Sequence, residues 1–315
     1  MDFILLIIGL AILVIGGEFL VKGAVGLARN LEIPPLVIGI TVVSFATSAP
    51  ELLVSLQAAA EGSPGISVGT VIGSNIANLA LVLGVTVLIF PIIVERQTKV
   101  IDWPVMMLAT ILFYVFLFDG VIELWEGLLL FLFLVTFITW RIRRSRKESK
   151  LQIEEHVVKE STLLTVGYLL LGLIGLYFGS ELLLKGAVHI AINLGMSESV
   201  IAVTIVAFGT SSPELVASCV AAYRKQSDIS IGTLIGSNIF NIMAVIGLTS
   251  IVRPIRLKSV DASQFLNFDM YWVTGIALVL LPMLYIGSKF GRIKGAILLS
   301  SYVIYISIIV SSNTL

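Results

Sequence analysis

The chain has 315 residues, of which 57% are hydrophobic and only 13% are charged, and its 20 basic residues balance its 20 acidic ones. Soluble domains carry about 25% charged residues, so the composition predicts an integral membrane protein and excludes a water-soluble domain. The zero net charge gives no electrostatic reason to expect a nucleic-acid partner. A single cysteine, Cys219, excludes an intrachain disulfide and a cysteine-based metal cluster.

Apolar runs predict an all-α fold of about ten transmembrane helices, because a spanning helix needs about 20 apolar residues. In chain order the predicted spans are Phe3–Val25, Pro34–Ala59, Ile66–Phe90, Pro104–Phe118, Leu124–Trp140, Thr165–Ala187, Ser197–Tyr223, Ile229–Val252, Tyr271–Ile286 and Ile293–Val310. The fourth and ninth are the least clearly bounded, because Asp102, Pro104 and Pro282 border or interrupt them.

Lysine and arginine in short loops predict the orientation, because cytoplasmic loops carry an excess of both. The densest basic cluster, Arg141–Lys147, predicts a cytoplasmic linker over residues 141–163. Counting outward from it predicts a multi-pass protein of the cell membrane, embedded in the lipid bilayer, with both termini extracellular. Arg253, Arg256 and Lys258 are the exception, because the same count places them outside.

A repeated motif divides the chain into two halves. Ser44–Glu51 recurs 163 residues later as Ala207–Glu214, and Gly73–Ile76 recurs at the same offset as Gly236–Ile239. Each copy holds about five predicted spans, an odd number, so the second copy must enter the membrane inverted. We therefore expect two inverted five-helix repeats, 1–140 and 164–315, joined by the linker 141–163. Inverted repeats are typical of secondary transporters, whose site lies near the bilayer midplane.

The motif places a glutamate, Glu51 or Glu214, within an apolar run, where an unpaired acid marks a functional site. A proline before each glutamate removes an N–H and kinks the helix, so backbone carbonyls become free to face a cation. Polar side chains accompany the glutamates in both halves: Ser44, Thr47, Ser48, Ser67, Thr70, Ser74 and Asn78 in the first, and Thr210, Ser211, Ser230, Thr233, Ser237 and Asn241 in the second. Such oxygen donors suit Na⁺ and Ca²⁺, which we expect as substrates, with no cofactor.

The paired motifs Ala-Thr-Ser-Ala-Pro-Glu and Gly-Thr-Ser-Ser-Pro-Glu, each followed by Gly-Ser-Asn-Ile-x-Asn, resemble the two alpha-repeats of the Na⁺/Ca²⁺ exchanger branch of the cation/Ca²⁺ antiporter superfamily. The short linker resembles that of small prokaryotic members. The resemblance implies that Glu51 and Glu214 hold Ca²⁺ with the carbonyls of Thr47 and Thr210. It also implies a sliding gate made by the first and sixth helices, and the remaining ligands: Ser48, Ser74, Ser211, Ser237 and the carbonyls of Ser44 and Ala207 for Na⁺, with Asn78 and Asn241 at the middle site.

Three positions depart from the family pattern. Ser44 stands where alanine is common, and Ala46 stands where glycine is common. Asn241 stands where the K⁺-dependent relatives carry aspartate, so asparagine at both Asn78 and Asn241 implies the K⁺-independent type. The centre then holds only two formal charges.

Together these features predict an electrogenic antiporter that exchanges Na⁺ for Ca²⁺ by alternating access. An H⁺/Ca²⁺ antiporter that uses the same two glutamates is the alternative, because neighbouring carboxylates repel and bind protons more readily. The serine- and threonine-rich flanks favour Na⁺. No enzyme is expected, since the sequence has no nucleophile–base pair, zinc motif or phosphate loop. The inverted repeat argues against a channel.

Overall fold

The computed structural model describes residues 2–150, 161–195, 205, 207–287 and 289–313. Nearly all of them are helical. The helices are α1 (Asp2–Leu31), α2 (Pro35–Thr47), α3 (Ala49–Ala60), α4 (Pro64–Ile89), α5 (Thr98–Leu117), α6 (Leu124–Lys150), α7 (Thr162–Asn193), α8 (Ala207–Thr210), α9 (Ser212–Tyr223), α10 (Ser227–Val252), α11 (Asp261–Tyr285) and α12 (Arg292–Asn313). Two short strands, β1 (Val121–Ile122) and β2 (Ile255–Arg256), pair antiparallel.

Eight of the described helices are long and apolar enough to cross a membrane, and α2 with α3 forms a ninth span that is bent by 43°. These helices confirm the predicted all-α membrane fold. The seventh predicted span, Ser197–Tyr223, lies partly outside the described residues, and α8 and α9 are its described part. The centre of the protein is formed by α4 and α10, and α10 is buried along its whole apolar stretch.

The fourth and ninth spans begin earlier than predicted, at Thr98 and Asp261. Both include a wide π-helical turn that ends at a buried aspartate, Asp102 in α5 and Asp269 in α11. The prediction was wrong at these boundaries because it treated acidic and proline residues as interruptions. In the structure both carboxylates have partners inside the protein, so a helix can continue past them.

Each buried aspartate is bonded by the last helix of its half. The guanidinium of Arg141 in α6 donates to both carboxylate oxygens of Asp102, at 3.1 and 3.3 Å, and to the side-chain oxygen of Gln97 at 2.8 Å. The hydroxyl of Tyr305 in α12 donates to Asp269 at 2.9 Å. A permanent cation therefore holds the acid in the first half, and a neutral phenol holds it in the second.

The basic cluster Arg141–Lys147 is helical, because α6 continues to Lys150. Arg141 is fully buried in its ion pair with Asp102, whereas we expected a solvated loop to begin there. Both partners are needed, because a buried ion left without its counterion costs several kcal/mol. Residues 151–160 of the predicted linker lie outside the described residues.

The two longest helices, α1 and α7, pack against each other through glycines spaced seven residues apart. A Cβ on Gly16 would lie 2.7 Å from the backbone nitrogen of Leu176, and one on Gly179 would lie 2.7 Å from that of Leu13. Gly179 and Leu176 each follow Gly16 and Leu13 by 163 residues, so the contact is reciprocal. Contacts of this kind arise when equivalent surfaces meet across a two-fold axis. Gly9 and Gly23 make the matching contacts with Leu183 and Leu169, which establishes that α1 and α7 run antiparallel.

Reciprocal contacts also join the ends of the halves. Ile122 pairs with Ile255 in the two-stranded sheet, and Ile92, which precedes Ile255 by 163 residues, forms a bridge with Phe290. Arg253 is one of the basic residues that broke the charge rule. It donates to the carbonyls of Ala59 and Ala60, at 3.0 and 2.9 Å, and so caps the C-terminal end of α3.

Candidate cation site

The site begins at two breaks in the transmembrane helices. Ser48 separates α2 from α3 with φ −85° and ψ 0°, and Ser211 separates α8 from α9 with φ −89° and ψ 3°. Pro50 and Pro213 each occupy the second position of the helix that follows, where a missing N–H is tolerated. The predicted proline kink is confirmed, and the break itself lies at the serine two residues before each proline.

The two glutamates lie in the first turns of α3 and α9, and their side chains are 1% and 0% exposed. Glu51 and Glu214 are close enough for the charge of one to act on the other. Among the residues that the structure describes, none of their four carboxylate oxygens has a hydrogen-bond partner. Helix N-termini favour negative charge, but two buried carboxylates side by side need a cation to balance them.

Neutral oxygens surround the carboxylates and share the same lack of partners. Ser48 Oγ, Ser211 Oγ, Asn78 Oδ1 and Asn241 Oδ1 are buried and, within the described part of the chain, make no hydrogen bond. Orphaned buried acceptors are rare in folded proteins, because each one costs about 1–3 kcal/mol. All are hard oxygen ligands of the kind that Na⁺ and Ca²⁺ prefer. The donor set therefore fits these ions as substrates.

Two contacts bring the halves together at the site. The amide nitrogen of Asn241 donates to Ser74 Oγ at 2.9 Å, and Ser74 in turn donates to the carbonyl of Thr70 at 2.7 Å. These bonds fix the amide, so that its oxygen points away from Ser74. The hydroxyls of Thr47 and Ser237 lie 3.2 Å apart.

Both asparagines stand where their helix widens into a π-helical turn. Asn78 lies in the turn Ala77–Val82 of α4, and Asn241 opens the turn Asn241–Ile246 of α10. Such turns often occur at functional sites, because they redirect side chains from the regular helical spacing.

The remaining predicted ligands are less closely joined to this group. Ser44 is buried, but its carbonyl already accepts the Ser48 N–H at 2.9 Å and the Thr47 hydroxyl at 3.3 Å. In this conformation both lone pairs of the Ser44 carbonyl are occupied. Thr210 is half-buried at the end of α8, and Ala207 begins that helix.

Two further pairs of buried polar residues were not predicted as site residues. Ser55 and Ser218 each have a hydroxyl without a partner among the described residues, as do the amide oxygens of Asn75 and Asn238. The amide of Asn75 reaches the carbonyl of Asn238 at 3.5 Å. Both pairs are separated by 163 residues. The repeat offset, combined with a polar residue in an apolar run, was the sequence signal that could have identified them.

Comparison with known proteins gives the same assignment at the level of the family. The family model described as "Sodium/calcium exchanger protein" matches residues 1–143 and 164–311. The chain is 38% identical to the protein CaxA of Alkalimonas amylolytica and 30% identical to the sodium/calcium exchanger MaX1 of Methanosarcina acetivorans, in each case over 98% of both chains.

Solved structures agree with the sequence matches. A structure of the sodium-calcium exchanger NCX_Mj, soaked with Na⁺ and Sr²⁺, matches with a TM-score of 0.82 and 34% identity over 97% of both chains. A second structure of that exchanger, soaked with Na⁺ and Ca²⁺, matches with the same TM-score at 33% identity. With its buried oxygen site and a family match over most of its length, the chain belongs to the sodium/calcium exchanger family, whose members are membrane antiporters rather than enzymes.

Proposed function

We propose that this chain exchanges Na⁺ for Ca²⁺ across the cell membrane by alternating access at one central site. The observation that carries the proposal is the pair of buried glutamates, Glu51 and Glu214, surrounded by buried neutral oxygens that lack hydrogen bonds among the described residues. Two carboxylates balance one Ca²⁺. The neutral oxygens complete its coordination, or hold Na⁺ when Ca²⁺ has left.

Each polar twin has its own role in this proposal. Glu51 and Glu214 hold Ca²⁺ with the carbonyls of Thr47 and Thr210, and Asn78 and Asn241 line the middle of the site. Na⁺ takes the flanking oxygens, which come from Ser48, Ser74, Ser211, Ser237 and the carbonyls of Ser44 and Ala207. The Ser44 carbonyl must release the Thr47 hydroxyl or the Ser48 N–H before it can bind an ion.

Two inverted repeats, residues 1–140 and 164–315, carry this site. The antiparallel, reciprocal packing of α1 and α7 supports the inversion. The charge distribution supports a cytoplasmic linker over residues 141–163 and extracellular termini. An inverted pair gives two states that are near mirror images, one open to each side of the membrane.

The charge of the site supports electrogenic, K⁺-independent transport. Asparagine at both Asn78 and Asn241 leaves the two glutamates as the only acids among the predicted ligands. If more than two Na⁺ replace one Ca²⁺, each cycle moves net charge. A third acid, which the K⁺-dependent relatives carry, is missing here.

Uptake of ⁴⁵Ca²⁺ into proteoliposomes tests the proposal. With Na⁺ loaded inside and pH equal on both sides, an outward Na⁺ gradient should drive Ca²⁺ uptake, and added K⁺ should leave the rate unchanged. A membrane potential that is negative inside should slow this uptake if Na⁺ leaves with excess positive charge. Uptake that follows a pH gradient and ignores Na⁺ would instead establish the H⁺/Ca²⁺ antiporter.

A further inference from the structure

We propose that a second, weaker cation-binding station lies on each side of the central site, formed by Ser55 with Ser67 in the first half and by Ser218 with Ser230 in the second. The inference rests on the proposed function and adds residues that are absent from the predicted ligand set. Each station takes a hard cation, Na⁺ or Ca²⁺, as it passes between the membrane surface and the glutamates.

The four serines are fully buried at the interfaces of α3 with α4 and of α9 with α10. The hydroxyl of Ser67 donates to the carbonyl of Ser55 at 2.7 Å, and that of Ser230 donates to the carbonyl of Ser218 at 3.0 Å. Each bond holds two hydroxyl oxygens next to each other across a helix pair. The arrangement occurs twice at the repeat offset of 163 residues, so it is not an accident of one interface.

The hydroxyls of Ser55 and Ser218 are the unexplained part of this arrangement. Neither forms a hydrogen bond with any described residue. A serine inside a helix commonly donates to the carbonyl four residues earlier, as Ser250 does to Ile246 at 2.8 Å. Because the two hydroxyls are aimed elsewhere, their oxygens remain available as ligands.

Helix geometry places each station next to a glutamate. Ser55 follows Glu51 by four residues and Ser218 follows Glu214 by four, so each pair shares one helix face at a separation of about 6 Å. One cation can pass over that distance from a hydroxyl to a carboxylate without returning to water. The stations lie on the C-terminal side of the glutamates in α3 and α9, and inversion of the repeats directs these two helices to opposite membrane faces.

The chemistry of serine suits a transient site. A hydroxyl replaces a water molecule in the coordination shell and adds no charge, so a passing cation loses hydration gradually and is not trapped. Conduction through a narrow path requires this balance, because binding must be favourable enough to enter and weak enough to leave.

Sided transport measurements test the stations. Ser55→Ala and Ser218→Ala are compared with the wild type in right-side-out and inside-out membrane vesicles, with the KM for Ca²⁺ measured in each. Ser55→Ala should raise the KM about fivefold in one vesicle orientation and leave the other unchanged, as expected from the loss of one hydroxyl ligand. Ser218→Ala should have the same effect in the opposite orientation. Ser55→Thr restores the hydroxyl and should recover most of the loss.

Ser250→Ala is the matched control, because Ser250 is also buried in a membrane helix but its hydroxyl is bonded within that helix. Its KM should not change on either side. If both serine variants keep the wild-type KM, change it equally in both orientations, or act on the same side, the stations do not exist. If the wild type shows no Na⁺-driven Ca²⁺ transport, the proposed function fails instead.

Discussion

At the scale of single residues, the unusual property of this protein is the number of buried oxygens that its own chain leaves unbonded. Most membrane proteins satisfy intramembrane polar groups internally, because lipid offers them nothing. Here five pairs of twins, from Ser48 and Ser211 to Asn78 and Asn241, keep polar atoms without partners among the described residues. The Asp102–Arg141 ion pair shows that the same chain can fully satisfy a buried acid elsewhere.

The first prediction concerns the two central acids. Glu51→Gln and Glu214→Gln each remove one of the two charges that balance Ca²⁺, so each should reduce Ca²⁺ transport to background while the protein remains folded. Glu61→Gln is the control, because Glu61 is exposed at the C-terminal end of the helix that carries Glu51. Transport of ⁴⁵Ca²⁺ and the elution profile on size exclusion check both points. Full transport in either glutamine variant would remove the glutamates from the mechanism.

The second prediction concerns the neutral ligand Asn241. Asn241→Asp places a third acid next to Ser74, in a fully buried position. A third carboxylate raises the demand for cations or protons, so the variant should transport Ca²⁺ with a changed cation selectivity or pH dependence. Transport rates measured across pH, with Na⁺ or K⁺ as counter-ion, decide this. Identical profiles in the wild type and the variant would show that Asn241 does not line the site.

The sequence predicted the site residues better than it predicted how they are bonded. Glu51 and Glu214 were recognisable because an acid in an apolar run has few alternative explanations. The Asp102–Arg141 pair was missed, because its members are 39 residues apart and nothing in a single sequence connects them. Ser55 and Ser218 were visible as repeat twins, but only the structure shows that their hydroxyls have no described partner.

At the scale of elements, the packing of α1 against α7 depends on backbone contact. Without a hydrophobic effect between helices in lipid, association comes from close van der Waals packing, and small residues allow it. Gly16 and Gly179 lie where a Cβ would meet the backbone of the other helix at 2.7 Å. The helix pair therefore has little room to separate or rotate.

The third prediction follows from this close approach. Gly179→Ala should push α7 away from α1 and lower the melting temperature, because overpacking typically costs about 1–3 kcal/mol. Gly167→Ala is the control on the same helix, since no described atom lies within 4 Å of a Cβ at that position. Thermal unfolding in detergent compares the two variants. Equal melting temperatures would mean that the helix pair can absorb a methyl group.

Helix existence was predictable from hydropathy, and helix boundaries were not. The observed start of α5, at Thr98, lies six residues before the predicted one, and that of α11 lies ten residues before. The additional turns are held by partners from α6 and α12, at Arg141 and Tyr305. A tertiary partner allows an acid inside a membrane helix, and local sequence does not reveal which partner that is.

At the scale of the whole molecule, the two halves are equivalent in packing but unequal in chemistry. The turns that follow α3 and α9 have the same left-handed backbone at twin positions, with φ 79° at Gly62 and 59° at Lys225. Only the second of these turns is basic. This charge difference favours opposite placements of two otherwise equivalent turns across the membrane.

The fourth prediction tests that placement. In a Cys219→Ala background, which has no other cysteine, Glu61→Cys and Lys225→Cys put one thiol on each turn. A membrane-impermeant maleimide should label Glu61→Cys in intact cells and Lys225→Cys only in inverted vesicles. The parent without cysteine is the blank. Labelling of both positions from the same side would show that the repeats are parallel rather than inverted.

The reciprocity seen between α1 and α7 also determines which distances can report the transport cycle. If the two states differ by an exchange of conformation between the halves, twin residues keep the same separation in both, because each takes the place of the other. Spectroscopic probes at Glu61 and Arg224, which are twins, would record no change however large the movement. Informative pairs are those that are not twins. Arg224 and Glu18 now form an ion pair of 2.7 Å, and after the exchange they would have the separation that Glu61 and Glu181 have in the present state.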